Sequence, residues 1–169
     1  TFAYRLYNFL TQMKTQILWL LCIVLWIGCK SDNTPMVSTS GDKEIDALTA
    51  EILKDSKNAN LYYKRAQKYY EKAAYESTLI DLKHALSIDS LNPDYYHLMS
   101  DAYLDNFNSD EAIMSLYKVL KIYPNRVPTM LKLSELKHII EDYDGSILIL
   151  NEILKNDNQN AEAYYMLGV

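Results

Sequence analysis

Three histidines, His84, His97 and His138, and two cysteines, Cys22 and Cys29, are the side chains of this 169-residue chain best suited to metal binding or nucleophilic chemistry. No Ser/His/Asp arrangement, glycine-rich phosphate loop or close-spaced metal motif accompanies them. One constellation has the right residue types. His97 and Asp101 are four apart and Glu135 and His138 three apart, so each pair shares one face of a helix. If the two helices are neighbours, their carboxylates fall level. The histidines then stand seven places apart in register, near 10 Å along the axis at ~1.5 Å per residue. One histidine reaches both acids, two do not, and a fourth zinc ligand is lacking. The expectation is therefore no metal, no cofactor and no catalytic residue.

The thiols belong to a different kind of segment. After Met13 and Lys14 the chain runs through eleven uninterrupted apolar residues, Ile17 to Ile27, and then Gly28-Cys29. A positive start, a short apolar core and a small residue at its end have the pattern of a secretory signal. Eleven helical residues span about 16 Å, roughly half a hydrocarbon core, which disfavours a membrane-spanning anchor. The segment Leu25-Trp26-Ile27-Gly28-Cys29 resembles the lipobox of bacterial lipoproteins, although leucine stands one place earlier than in that pattern. The resemblance implies lipid on Cys29, cleavage before it, and an exported protein held at a bacterial membrane, facing the periplasm or the outside. A plain signal peptide with an incidental cysteine is the alternative. Residues 1–12 precede Met13 and are expected to lie outside the mature protein, with 13–28 as signal and 29–43 as lipidated cysteine and flexible linker. The fourteen residues after Cys29, mostly polar and without periodicity, have a random-coil span of about 20 Å.

Charge restricts the partners. The chain has 17 Lys and Arg against 22 Asp and Glu, for a net −5. Residues 1–28 contribute Arg5 and Lys14 and no acids, so everything beyond them is more acidic still. Phosphate binding needs clustered cations, and no Lys/Arg stripe exists, which excludes nucleic acid.

The elements that must position any site repeat. At a spacing of 34, one column reads Tyr62, Tyr96, Met130, Tyr164, and another Arg65, Met99, Leu133, Leu167. Small residues follow at Ala66, Ser100 and Ser134, and Tyr69 aligns with Tyr103 and Lys137. In the second half of each unit Thr78, Ala112 and Ser146 align, then Leu82, Leu116, Leu150, then Ala85, Val119, Ile153. Within each unit apolar residues recur at three and four, the helical period. Helices are predicted near 60–72, 75–89, 93–106, 109–122, 127–140 and 143–156, with another starting at Ala161. Asn92-Pro93 reads as a cap followed by a first-turn proline, and Asn108 with Glu111 as a capping box. The expected core includes Tyr62, Tyr69, Leu82, Ala85, Tyr96, Met99, Tyr103, Ala112, Leu116, Leu133, Leu150 and Tyr164.

Tyr96-Met99-Ser100-Tyr103 and Ala112-Leu116-Val119-Pro124 resemble the tetratricopeptide repeat, a 34-residue pair of antiparallel helices. The first unit departs at Arg65 and Ser90, the third at Lys137 and Asn158. The resemblance implies an all-α, right-handed solenoid: a capping helix at 44–57, repeats at 59–92, 93–126 and 127–160, and the start of a fourth at 161–169. Because the chain ends inside that last unit, it is expected to continue. Neighbouring hairpins must stack to cover one another's apolar faces. In this family the first helices line a concave groove that grips another protein. Here those positions are Tyr63, Gln67, Tyr70 and Glu71, then Asp94, His97, Asp101 and Asp105, then Leu131, Glu135, His138 and Ile139. That aromatic and acidic set implies an extended or helical partner segment bearing Lys or Arg. Some family members clamp the carboxyl terminus of chaperones with Lys and Asn, and Tyr63, Gln67, His97 and Asp101 occupy those columns, which disfavours that partner. The expected function is a protein-binding scaffold without catalysis, tethered to the envelope. The alternatives are a component of an outer-membrane or pilus assembly machine, or the recruiting arm of an enzyme whose catalytic domain lies further along.

Overall fold

The computed structural model describes residues 40–168. The signal at 13–28, the residues before it, the Cys29 lipid site and most of the 29–43 linker lie outside the described residues. Described here are eight helices and no strand: α1 Lys43–Lys54, α2 Ala59–Glu71, α3 Tyr75–Ile88, α4 Pro93–Asp105, α5 Ser109–Ile122, α6 Val127–Ile139, α7 Tyr143–Asn156 and α8 Ala161–Leu167. None of them is long and apolar enough to cross a membrane. Each helix packs on the next, and α2/α3, α4/α5 and α6/α7 are the antiparallel hairpins. Second-neighbour contacts of α2 with α4 and of α6 with α8 make the stack.

Local chemistry sets the boundaries. Asp42 accepts from the amides of Glu44 and Ile45 at 2.8 and 3.2 Å and starts α1. Asn92 accepts from Asp94 N at 3.0 Å with Pro93 in the first turn, as the sequence predicts for α4. The Asn108–Glu111 capping box is a correction, because the Asn108 side chain makes no cap bond. The box needs the cap residue's own amide as a donor to glutamate. In this chain that amide donates to Tyr103 O at 2.8 Å to close the hairpin turn. The same closing bond recurs from Ala74 N to Tyr69 O and from Asp142 N to Lys137 O. Each turn places one residue in the left-handed region: Ala73 at φ 55°, Phe107 at 58° and Glu141 at 64°. Glycine would sit there without strain, yet none of the three is glycine.

The small columns explain the stacking. Ala66, Ser100, Ser134, Thr78 and Ala112 have no exposed surface, so neighbouring helices approach to backbone distance around them. Leu82, Leu116, Leu150, Ala85, Val119 and Ile153 fill the space between hairpins. At about 25 cal/mol per Å² of apolar surface, such residues supply the main driving force for folding. Five expected core tyrosines stand at its rim instead. Tyr62, Tyr69, Tyr96 and Tyr103 are half-buried and Tyr164 is exposed. A buried phenol needs a hydrogen-bond acceptor, and a rim position supplies one. Tyr62, Tyr96 and Tyr164 each donate at 3.2 Å to a carbonyl six residues earlier, Ser56 O, Ser90 O and Asn158 O. They pin the linker that enters their own helix.

Two of the departures from the repeat pattern, Arg65 and Lys137, are each matched by a charged partner. Arg65 replaces the apolar residue of its column, and Asp81, 2 % exposed, receives Nε and a terminal guanidinium nitrogen at 2.7 Å each. Another guanidinium nitrogen donates to Thr49 Oγ1 at 2.9 Å, fastening α1 to α2. In the third unit Lys137 takes the tyrosine place and pairs with Asp142 across the hairpin turn.

Candidate functional site

The first helices α2, α4, α6 and α8 line one side of the stack, but the residues expected there behave differently from one end to the other. Between α2 and α4 the face closes on itself. The Tyr63 ring lies 4.9 Å from that of Tyr95, and Tyr70 donates its hydroxyl to Asp105 at 2.6 Å while packing 5.9 Å from Tyr75. Burial, and then the Asp105 carboxylate, push the Tyr70 phenol far above its ordinary range. Glu71 faces Lys68 on its own helix at 3.0 Å. Gln67 is half-buried beside them.

Between α4 and α6 the contacts are polar. His97 Nε2 meets Thr129 Oγ1 at 2.8 Å, Asp101 pairs with Lys132 at 2.6 Å, and Asp94 lies 3.9 Å from Arg126. Burial holds the His97 imidazole below its usual pKa, and the positive charges of Lys132 and Arg126 add to the effect. His97 and Asp101 are therefore inter-helix fasteners rather than open groove residues. Among the described residues no three of His, Cys, Asp and Glu converge, so the His97, Asp101, Glu135 and His138 constellation is not assembled.

Between α6 and α8 the face opens into a cavity of about 1000 Å³ lined by Leu131, Glu135, His138, Ile139, Tyr165 and Met166, with Lys132 and Glu162 at its polar margin. Leu131 departs from the expectation of an open position, since it is 7 % exposed in a core cluster with Ala163. Glu135, His138 and Ile139 stand exposed. The His138 ring meets Tyr143 edge-on at 5.1 Å. Glu135 and Glu162 form no ion pair among the described residues.

Arg126, Thr129, Lys132, Tyr95, Tyr165 and Met166 escaped the sequence reading, and one signal would have found the first four. Four of the contacts between neighbouring first helices have a spacing of 31 or 32, not 34: Tyr63 with Tyr95, Asp94 with Arg126, His97 with Thr129, Asp101 with Lys132; Tyr70 with Asp105 has 35. Equivalent residues repeat at 34, but packed helices touch through side chains displaced by most of a turn.

No protein-family profile matches the chain, and no curated protein sequence matches it. Solved structures do resemble it. The crystal structure of MamA aligns with a TM-score of 0.62 at 17% identity, over 73% of this chain and 72% of that one. A tetratricopeptide repeat protein from Parabacteroides merdae aligns at 0.60 and 21% identity, over 73% of this chain and 51% of that one. The first such domain of Spaghetti, bound to an HSP90 peptide, aligns at 0.57 and 15% identity, over 68% and 90%. With the 34-residue columns, the recurring left-handed turns and the stacked hairpins, this likeness shows that the chain has the tetratricopeptide-repeat fold.

Proposed function

We propose that the chain is a protein-binding scaffold that takes a segment of another protein into the cavity between α6 and α8, and that the segment is apolar with Lys or Arg beside it. One observation carries this reading. Glu135 and Glu162 border an open cavity of mixed polar and apolar lining without an ion-pair partner among the described residues, whereas Asp94, Asp101 and Asp105 are each engaged within the fold. Both carboxylates are exposed, so a cationic side chain can reach them without displacing an internal partner. The Spaghetti domain was solved with the peptide SRMEEVD. A segment with three acids in its last four residues would meet like charge here. Placement at a bacterial membrane through lipid on Cys29 belongs to the same proposal and rests on the Ile17–Cys29 pattern alone.

Fluorescence anisotropy with short synthetic peptides tests the binding reading. A Lys/Leu-rich peptide is expected to bind, more weakly at high salt, and to lose about tenfold in affinity against Glu135→Lys. Equal affinity for an acidic peptide of the same apolar content would reject it. Labelled fatty acid incorporated by the wild-type chain and absent from Cys29→Ala tests the anchor.

A further inference from the structure

The side of the stack away from the groove carries a feature the groove does not use. Each second helix places its most exposed aliphatic residue at the same place in the repeat: Ile80 at 57 %, Met114 at 57 % and Leu148 at 70 % exposure. They are 34 apart, so they form one rung on each of three successive hairpins. Tyr117, 46 % exposed and one turn beyond Met114, widens the middle rung. Solvent-facing aliphatics contribute nothing to a core, and singly they are ordinary. Three in equivalent places make a band across α3, α5 and α7. Clefts lie between the rungs, about 360 Å³ beside Met114 with Leu86 and Met99, and about 190 Å³ beside Leu148 with Tyr117 and Met130.

Charge flanks the band on both sides. Four residues before each rung stand Glu76, Asp110 and Asp144, all exposed. Seven residues after stand Ser87, Lys121 and Lys155, also exposed, with Lys83 and Lys118 nearer the band. At ~1.5 Å per residue the acids sit about 6 Å to one side and the lysines about 10 Å to the other. The face therefore reads acidic, apolar, basic, with Glu152 on α7 the one acid within the basic side.

We propose that this face pairs with the same face of a second copy, the helices of the two copies running antiparallel about a two-fold axis along the stack. That axis lays the acidic band of one copy over the basic band of the other, Asp110 opposite Lys121 and Asp144 opposite Lys155, with Met114 against Tyr117 between them. An isologous contact of this kind closes on itself and stops at the dimer. A parallel pairing sets acids on acids. An anionic lipid surface satisfies the lysines but faces Glu76, Asp110 and Asp144 with like charge. Only the antiparallel copy answers all three bands. The middle helix α5 carries the centre of the contact, where interface residues matter most.

Sedimentation equilibrium on the chain from residue 30 onward, which contains the compact helical unit Thr39–Val169, tests this. The expected result is a concentration-dependent dimer. Met114→Glu is expected to be monomeric with unchanged helical circular dichroism, since the side chain is exposed. Asp110→Lys and Lys121→Asp are each expected to weaken association about tenfold, and the double variant to restore it. A monomer at every concentration, a dimer that survives Met114→Glu, or a double variant as weak as the singles overturns the proposal. Capture by anionic vesicles that Met114→Glu abolishes, with no dimer in solution, assigns the face to lipid and overturns it equally.

Discussion

The α2–α4 junction and the α6–α8 junction occupy equivalent places in the repeat, yet one is closed and the other open. In the first, Tyr63 covers Tyr95 and Tyr70 reaches Asp105, so aromatic rings and a phenolic hydroxyl occupy the space a ligand would need. In the second, Tyr165 is 84 % exposed and Glu135 and Glu162 border a cavity. The α4–α6 junction between them is held by a histidine, a threonine and ion pairs. The lesson is that a repeat fixes where helices lie, and the residues in its variable columns decide whether a junction is sealed or receptive. Polar substitutions also travel in pairs: Arg65 with Asp81 and Lys137 with Asp142. An isolated buried charge is expensive, and its partner must appear in the same neighbourhood.

The contrast can be broken at the closed end first. Asp81→Ala strands the mostly buried Arg65 guanidinium, with an expected loss of about 3 kcal/mol in urea unfolding. Asp81→Ala paired with Arg65→Met, the residue type its column carries at Met99, is expected to recover most of that loss. Ser100 Oγ is buried without a partner, whereas Ser134 Oγ meets Ser146 Oγ at 2.8 Å one unit later. The equivalent of Ser146 is Ala112, which offers no oxygen. Ala112→Ser or Ser100→Ala is expected to stabilise by about 1 kcal/mol, read from the same unfolding curves. Phe107→Gly relieves a left-handed backbone and removes a side chain that is 98 % exposed. Its gain is expected near 0.5 kcal/mol, because glycine also makes the unfolded chain more flexible.

The polar junction offers the smallest effect, with a definite sign. The folded pKa of His97 lies below the ordinary 6.5. Its contribution is therefore complete above pH 6.5 and is lost as pH falls through the depressed folded value, because the unfolded state binds the proton first. Unfolding midpoints measured at pH 7.5 and pH 5.5 are expected to diverge in the wild type and to converge in His97→Asn. Equal divergence in both proteins assigns the slope to other groups.

Much of the architecture was legible before the structure. Helical period, the 34-residue columns and Asn92-Pro93 located the hairpins, since burial of one apolar face and capping of free amides are local demands that residues state directly. The cap at Asn108 was misread because its amide answers to Tyr103, a bond that depends on the turn adopting a left-handed residue at Phe107. The tyrosine column was read as core because ring and hydroxyl are one letter in a sequence, while the fold separates a buried ring from a hydroxyl at the rim.

The groove was legible only as a list of columns. That α2, α4, α6 and α8 present Tyr63, Gln67, His97, Asp101, Glu135 and His138 follows from the repeat. Which of these are engaged depends on partners 31 or 32 residues away, and that displacement arises from how stacked helices interlock. The sequence by itself determined the helices, their pairing into hairpins and the small residues that let them stack, because those follow from short-range periodicity and side-chain size. Only the tertiary structure decided that Leu131 is buried under α8, that Asp101 is answered by Lys132, and that Glu135 stands beside an open cavity. Electrostatic satisfaction is a property of distances between elements, and distances are set only once the helices have packed.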